Sequence, residues 1–543
     1  MVFARRSTTL LAAIIASCAM VLSLTACTSD NKTVVDGQTT VTSNSAGGVA
    51  VFTPSDGITL NQQMPLNKWA KLVPDLTKAL VDAGFKKGDI NHTTSDSLDK
   101  QSRAIQDFVV DHLSNNTTDD SGIAIAPDNM TLLVAPVVEA DASTRQYGDY
   151  VSQNLSTNDA TDGEATSDGE SSEDDSSKDD SSNTESDSTA SDEQAQAVDR
   201  LVSSLKLAKE SGMHVVLLGN SIEGYKPDAF VKFSDAQTIG KLQAEKMVSK
   251  LKLDKASKDN PKYIEVLLPY TAVDEKGNAN DSTFAQEAFR GIWQVLGSYY
   301  QKGVVESPSG TLDGKSTEND WQAVAYDAAK EGSTAKVLDK RLAKTDGQST
   351  LTRIDGIITM NDYIASEVVK ELDDLGYTGS AADINPQITI SGIVGNITGK
   401  KDLSRDAVPD PIKSPENDNA NDSSSSDDDA DEDTSASDKD RDSQWPLVTG
   451  YGAYVSNIPS IVNGKQWMTG MEDRQTIATD IAQACAKLNK DEALNSMPSI
   501  RNSEVGGVKK IPTISEPLLA VSASNLKSAL IDPGYISLAD AGL

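Results

Sequence analysis

Six short apolar runs separated by amphipathic segments dominate the folding possibilities of this chain. They are "VAVFT" (49–53), "TLLVAPVV" (131–138), "HVVLLGN" (214–220), "YIEVLLPY" (263–270), "IDGIITM" (354–360) and "PLVTG" (446–450). Most are continuous rather than alternating, the pattern of strands buried on both faces of a parallel sheet. Helical patterns lie between them. "KQSRAIQDFVVDHL" (100–113) puts Ile105, Phe108, Val109 and Leu113 near one face, and "YIASEVVKELDDLG" (363–376) stops at a glycine. Strand and helix in repeated alternation predict right-handed βαβ units and doubly wound sheets. A chain of 543 residues has room for two or three domains.

The first 27 residues stand apart. Arg5 and Arg6 precede an apolar run from Leu10 to Leu24 that is short for a membrane span and ends in Leu24-Thr25-Ala26-Cys27. This reads as an export signal. A cysteine directly after two small residues is similar to the bacterial lipobox, which implies a diacylglycerol on the Cys27 thiol and a new N-terminus there. Several acyl chains hold a protein firmly at a membrane surface, at about 0.8 kcal/mol per buried methylene. Residues 28–47 read as a flexible polar tether. The other cysteines are Cys18, inside the signal, and Cys485, inside a helical pattern. No internal disulfide is expected.

The formal net charge of −33 is unevenly placed. Residues 157–194 hold fourteen Asp/Glu against one Lys, and 415–443 hold twelve against two basic residues, which is 23 of the 33 excess negative charges. These two stretches have almost no apolar residue to offset the entropy of ordering and read as disordered surface inserts. Neither has the spaced Asp and glycine pattern of a calcium loop. The remaining body is mildly acidic, so nucleic acid is not an expected partner. There is no Gly-x-Ser-x-Gly, no phosphate loop and no Cys/His cluster, and the three histidines, His92, His112 and His214, are scattered. Neither enzymatic activity nor a cofactor nor a metal is expected.

The C-terminal part, "WPLVTGYGAYVSNIPSIVNGKQWMTGMEDRQTIATDIAQACAKL" followed by "GGVKKIPTISEPLLAVSASNLKSALIDPGYISLADAGL", resembles type I periplasmic binding proteins for monosaccharides, in particular the xylose and multiple-sugar branch. That branch reads approximately Pro-Val-Val-Thr-Gly-Gln-Asp-Ala here, and ends on a Asp-Ser-Gly-Tyr segment that becomes Asp532-Pro533-Gly534-Tyr535. "VKFSDAQTIGKLQAEKMVSKL" and "IITMNDYIASEVVKELDDLGY" are similar to further family segments. The resemblance implies an α/β fold of two Rossmann-like doubly wound lobes joined by a three-strand hinge. It also implies a sugar clamped between the lobes and an ABC permease as partner; a monomer is expected, and the export signal with its Cys27 lipobox places the chain, as an expectation, on the extracytoplasmic face of a bacterial membrane. Lobe one would comprise 48–221 plus 470–503, and lobe two 222–469 plus 504–543. The segment 386–399 has no assigned place.

Sugar sites combine aromatic faces with amide or charged groups that pair with vicinal hydroxyls. Carried onto this sequence, the family pattern singles out Trp69, as a stacking face or a core residue with Leu66, Leu72 and Val73. Asn220, in "GN" where the family has Asp-Arg, is a polar contact or a turn residue. Gln286 follows Thr283 and Phe284 at the start of a helix. Asn361 and Asp362 retain the family's pair, with helix capping as the alternative for Asp362. Tyr451 stands in Gly450-Tyr451-Gly452-Ala453, where the family's Gly-Gln-Asp-Ala supplies a carboxylate. Met471, Glu472 and Asp473 fall at the hinge. Several charged groups of the family are replaced, so a ligand other than a simple pentose or hexose is expected.

Overall fold

The computed structural model describes residues 33–35, 38–40, 46–55, 65–115, 125–138, 145–150, 153–157, 185–273, 280–328, 330–343, 351–382 and 445–543. Cys27, the second acidic stretch, residues 158–184 of the first and the segment 386–399 lie outside the described residues. No described helix is long and apolar enough to cross a membrane.

Two units are distinguished, Met1–Asn44 and Ser45–Leu543. In the first, the strands Thr33–Val35 and Gln38–Thr40 pair antiparallel, with Thr33 opposite Thr40. The tether is thus not free of regular structure. The signal was local: β-branched residues flank Asp36-Gly37, a dipeptide favoured in two-residue hairpin turns.

The second unit runs, in chain order, through β1 (Gly48–Pro54), α1 (Trp69–Asp82), β2 (Ile90–Ser95), α2 (Leu98–Asn115), β3 (Met130–Val134), α3 (Glu185–Glu210), β4 (His214–Leu218) and β5 (Ala229–Lys232). There follow α4 (Ala236–Leu251), β6 (Lys262–Val266), α5 (Thr283–Gln301), β7 (Val305–Glu306), α6 (Ser333–Arg341), β8 (Gly356–Ile358), α7 (Asp362–Asp374) and β9 (Leu447–Thr449). The chain ends with β10 (Met468–Met471), α8 (Arg474–Leu488), β11 (Ile500–Val505), β12 (Val508–Ser515) and β13 (Leu519–Ser522). Each apolar run overlaps a strand, which is longer than the run at 49–53 and shorter than it in the other five.

Sheet one has the order β11-β12-β5-β4-β3-β1-β2, parallel except for the β11–β12 hairpin. Alternation sends Val49, Val51, Leu133, Val216 and Val231 to one face, against α1 and α8. Ala50, Phe52, Leu132, Val134 and Leu217 pack on the other, against α2 and α3. Sheet two, β7-β6-β8-β9, is wholly parallel. Ile264, Val266 and Ile358 meet α4 and α5, while Ile357 and Val448 meet α6 and α7. Helices therefore cover both faces of both sheets, and the fold is the α/β pair of doubly wound lobes that the strand pattern predicts.

Three segments link the lobes: 233–235 from β5 to α4, 472–473 from β10 to α8, and 516–518 from β12 to β13, with β10 and β13 forming a separate antiparallel pair that a bridge between Tyr451 and Gly470 ties to the chain after β9. The first crossing comes about a dozen residues later than the boundary at 221, because β5 adds to sheet one before the chain leaves it. The third also falls later than 503, because β12 pairs with β5. Asp235 and Asp473 cap the helices that follow the first two crossings, accepting from the Thr238 and Thr476 amides.

Two further differences concern helices. α3 begins at Glu185, inside the stretch 157–194, where acidic composition had masked helical propensity. In α2, Ile105 and Val109 are buried as expected, but Leu113 is exposed and His112 takes the inner position. The step of 3.6 residues per turn makes 112, not 113, the next inward site.

Candidate functional site

The site residues gather at the carboxyl ends of the parallel strands, where open α/β sheets present their ligand groups. On the lobe-two side the chain leaves β9 through Gly450-Tyr451-Gly452-Ala453. Gly452 and Ala453 both have positive φ, 114° and 49°, so the turn is tight. Asp362 supports it from beneath. Its carboxylate accepts from the Tyr454 amide at 2.9 Å, Gln466 Nε2 at 2.7 Å and Thr469 Oγ1 at 2.8 Å, and its own amide donates to Tyr451 O at 3.0 Å. Asp362 is completely buried, and desolvation pushes its pKa up to about 6 against the pull of these donors. Asp362 is therefore an internal strut, neither exposed nor a helix cap. Asn361 is the cap instead, its Oδ1 accepting from the Ile364 amide at 2.9 Å. Its Nδ2 donates to Gln146 Oε1 at 3.1 Å.

Tyr451 ties the turn to two of the crossings. Its hydroxyl donates to Glu472 Oε1, and that oxygen also accepts from the Ser234 amide at 2.8 Å. Burial raises the Glu472 pKa to about 7.

On the lobe-one side, Trp69 opens α1 and is 2% exposed. Its ring meets Tyr150 edge-on at 5.1 Å and Phe233 at 5.6 Å, and Tyr150 stacks on Phe233 at 4.8 Å. Trp69 packs in the core with Leu72, Leu76 and Leu80 along the same helix face, whereas Val73 is half-buried and Leu66 belongs to a different cluster. Asp149 accepts from Lys68 Nζ at 2.9 Å and from the Trp69 amide at 3.0 Å. Asn220 is buried and joins two loops, its Nδ2 donating to Pro136 O at 2.9 Å and its Oδ1 accepting from the Gln153 amide at 3.0 Å.

α5 approaches the site closely because it packs on α4 through glycines. A Cβ on Gly240 would meet Ala288 O at 2.2 Å, and one on Gly291 would meet Gln237 O at 2.0 Å. Gln286, however, folds back on its own helix, donating to Ser282 Oγ at 2.7 Å. Phe284, two positions earlier, reaches the cleft and packs on Tyr147 at 4.7 Å, while Tyr147 lies 6.3 Å from the Tyr451 ring.

The structure thus sets Trp69, Asn220, Asn361 and Tyr451, all buried, against Tyr150, Gln153, Gln146 and Tyr147 respectively, and leaves Gln286 out of these contacts. Sequence reasoning missed Gln146, Tyr147, Tyr150 and Phe233. The available signal was "RQYGDY" (145–150), two tyrosines in an otherwise polar stretch with no periodicity to place it. A separate cavity of about 400 Å³, lined by Tyr300, Ser307 and Leu312 among others, lies at the far end of α5 from Phe284.

No protein-family model matches the chain, and no curated protein sequence matches it. Solved structures give matches. An ABC transporter solute-binding protein from Clostridium phytofermentans with bound beta-D-glucose is 16% identical, with 91% of this chain and 99% of that one covered and a TM-score of 0.45. A carbohydrate transporter solute-binding protein from Chloroflexus aurantiacus in complex with D-glucose is 18% identical, covers 92% and 98%, and has a TM-score of 0.43. A sugar ABC transporter from Actinomyces odontolyticus is 10% identical, covers 89% and 97%, and also has a TM-score of 0.43.

Proposed function

We propose that this chain is a lipid-anchored extracytoplasmic solute-binding protein that takes a carbohydrate or related polar small molecule between its lobes and delivers it to an ABC permease. The observation that supports the reading is convergence: Trp69 and Asn220 from one lobe, Asn361 and Tyr451 from the other, each contact one of the residues Gln146, Tyr147, Tyr150 and Gln153. Chain crossings such as the three between these lobes let two rigid lobes close on a ligand. Aromatic rings beside amides suit a molecule with both apolar faces and hydroxyls. Leu24-Thr25-Ala26-Cys27 supports the anchor, and assignment to the xylose branch rests on the C-terminal motifs alone.

The test is a thermal-shift panel on the soluble chain with D-glucose, D-xylose, D-ribose, myo-inositol and oligosaccharides, because a ligand bound only by the native state raises its melting temperature. No shift with any member overturns the reading. Cys27→Ala should abolish membrane fractionation, and retention in that variant removes the anchor from the proposal.

A second reading is a degenerate lobe pair acting as a surface sensor or adhesion module without transport. Asn220 in place of a charged pair, and a cleft packed with the chain's own rings, favour it. Permease and ATPase genes beside this one would decide for the first.

A further inference from the structure

We infer that residues 146–150 form a built-in occupant of the interlobe cleft, a strap that engages the groups a ligand would use. The inference rests on the reading above that Trp69, Asn220, Asn361 and Tyr451 are those groups. Three of the four contact the strap itself: Trp69 holds the Tyr150 ring, Asn361 donates to Gln146, and Tyr451 lies against Tyr147, while Asn220 accepts from the Gln153 amide beyond it. Two tyrosines three positions apart divide the cleft between them. Tyr150 sits with Trp69 and Phe233 of lobe one and its crossing, and Tyr147 with Phe284 and Tyr451 of lobe two.

The backbone is fixed to both sides as well. Tyr454 Oη donates to Gln146 O at 2.7 Å, and the Asp149 amide donates to Asn67 O at 2.8 Å. Gly148 has φ 92° and lies so close to lobe one that a Cβ would meet Asn67 O at 2.5 Å. Downstream, Asn154 and Leu155 pair in parallel with Ser221 and Ile222, which moors the strap to lobe one. Donors and acceptors that a bound sugar would satisfy are therefore satisfied internally, and a ligand reaches them only by displacing Gln146 and Tyr147. The strap keeps the lobes together without ligand and competes with whatever enters.

The experiment compares the intact chain with Gln146→Ala and with Gln146→Gly combined with Tyr147→Gly, by hydrogen exchange and by calorimetry against the panel named above. The Leu66 amide, which donates across to Gly452 O at 2.9 Å, reports lobe separation. In the double variant it should exchange at least tenfold faster while β4 and β6 keep their rates. Any sugar or polyol bound should bind at least tenfold more tightly than to the parent. Gln146→Ala, which removes one hydrogen-bond acceptor and no ring, should move both readouts in the same direction and covers the case in which the double variant loses β4 and β6 protection. Unchanged Leu66 exchange, or equal affinity of parent and variants for a panel member, overturns the strap. Faster exchange with no binding by any variant sustains the strap and overturns the sugar-receptor reading.

Discussion

The Tyr451 hydroxyl donates to Glu472 Oε1 at 3.2 Å, joining the turn after β9 to the second crossing between the lobes. Because the same oxygen holds the Ser234 amide of the first crossing, one buried carboxylate links three chain segments. Both of these donors are neutral, and Asp235 nearby also disfavours its charge.

This geometry gives the protein a pH-dependent stability. Glu472 titrates near 7 in the folded state against 4.5 ordinarily, and Asp362 near 6 against 3.8. Between the ordinary and the raised values the folded state binds more protons than the unfolded one, so stability falls as pH rises from about 4 to about 7. Glu472→Gln keeps an acceptor oxygen and removes the charge. It should melt at a higher temperature than the parent at pH 8, with a gain of up to about 3 kcal/mol, and the gain should vanish below pH 4. Melting curves from pH 4 to 8.5 decide it, and a Gln variant with the parent's slope refutes it.

Gly450 sits where a methyl group cannot be placed. A Cβ there would lie 2.1 Å from Asp362 Oδ1 and 2.7 Å from Gln466 Nε2, and Asp362 cannot withdraw without abandoning its three donors. Gly450→Ala and Asp362→Ala should each cost about 3 kcal/mol. The double variant should cost much less than the sum, since both break one network. Urea denaturation measures this, and a Gly450→Ala protein within about 0.5 kcal/mol of the parent contradicts the turn described here.

Trp69 and Gln286 were both candidates in the sequence and should behave oppositely. Trp69→Ala removes a ring packed on Tyr150 and Phe233 and should destabilise by about 3–5 kcal/mol. Gln286→Ala loses only a local bond to Ser282 and should stay within about 0.5 kcal/mol. Equal losses in denaturant titrations would show that the ring does not pack as found.

Replacing residues 158–184 with a short Gly/Ser linker should leave the melting temperature within a few degrees, because loop closure costs only about 0.6 kcal/mol per doubling of length. A replacement running on to 205 removes Ala197, Val198, Leu201 and Leu205 from the core against sheet one, and should abolish cooperative unfolding. Calorimetric scans distinguish the two outcomes.

Much of the fold was legible locally. The apolar runs marked most strands of both sheets, since burial on two faces leaves continuous Val, Leu and Ile, and the helix 362–374 announced itself by period and by the glycine after it, whereas its cap is Asn361 and not Asp362. Less was legible at the lobe boundaries: the strand Ala229–Lys232 is only four residues long, Val508–Ser515 carries two lysines and a proline, and their membership of sheet one depends on the first pairing with β4 and the second with the first.

The sequence by itself determined the alternation of strands and helices, the acidic stretches and the shape of the turn at 450–453, because hydrophobic period, charge density and glycine conformation are properties of neighbouring residues. Tertiary structure alone decided what the polar and aromatic groups do. Asp362 finds Thr469 at a distance of 107 residues along the chain, Asn361 finds Gln146 at 215, and two tyrosines from an aperiodic segment fill the cleft. Such partners are selected by where strand ends converge after folding, and no local pattern encodes that convergence.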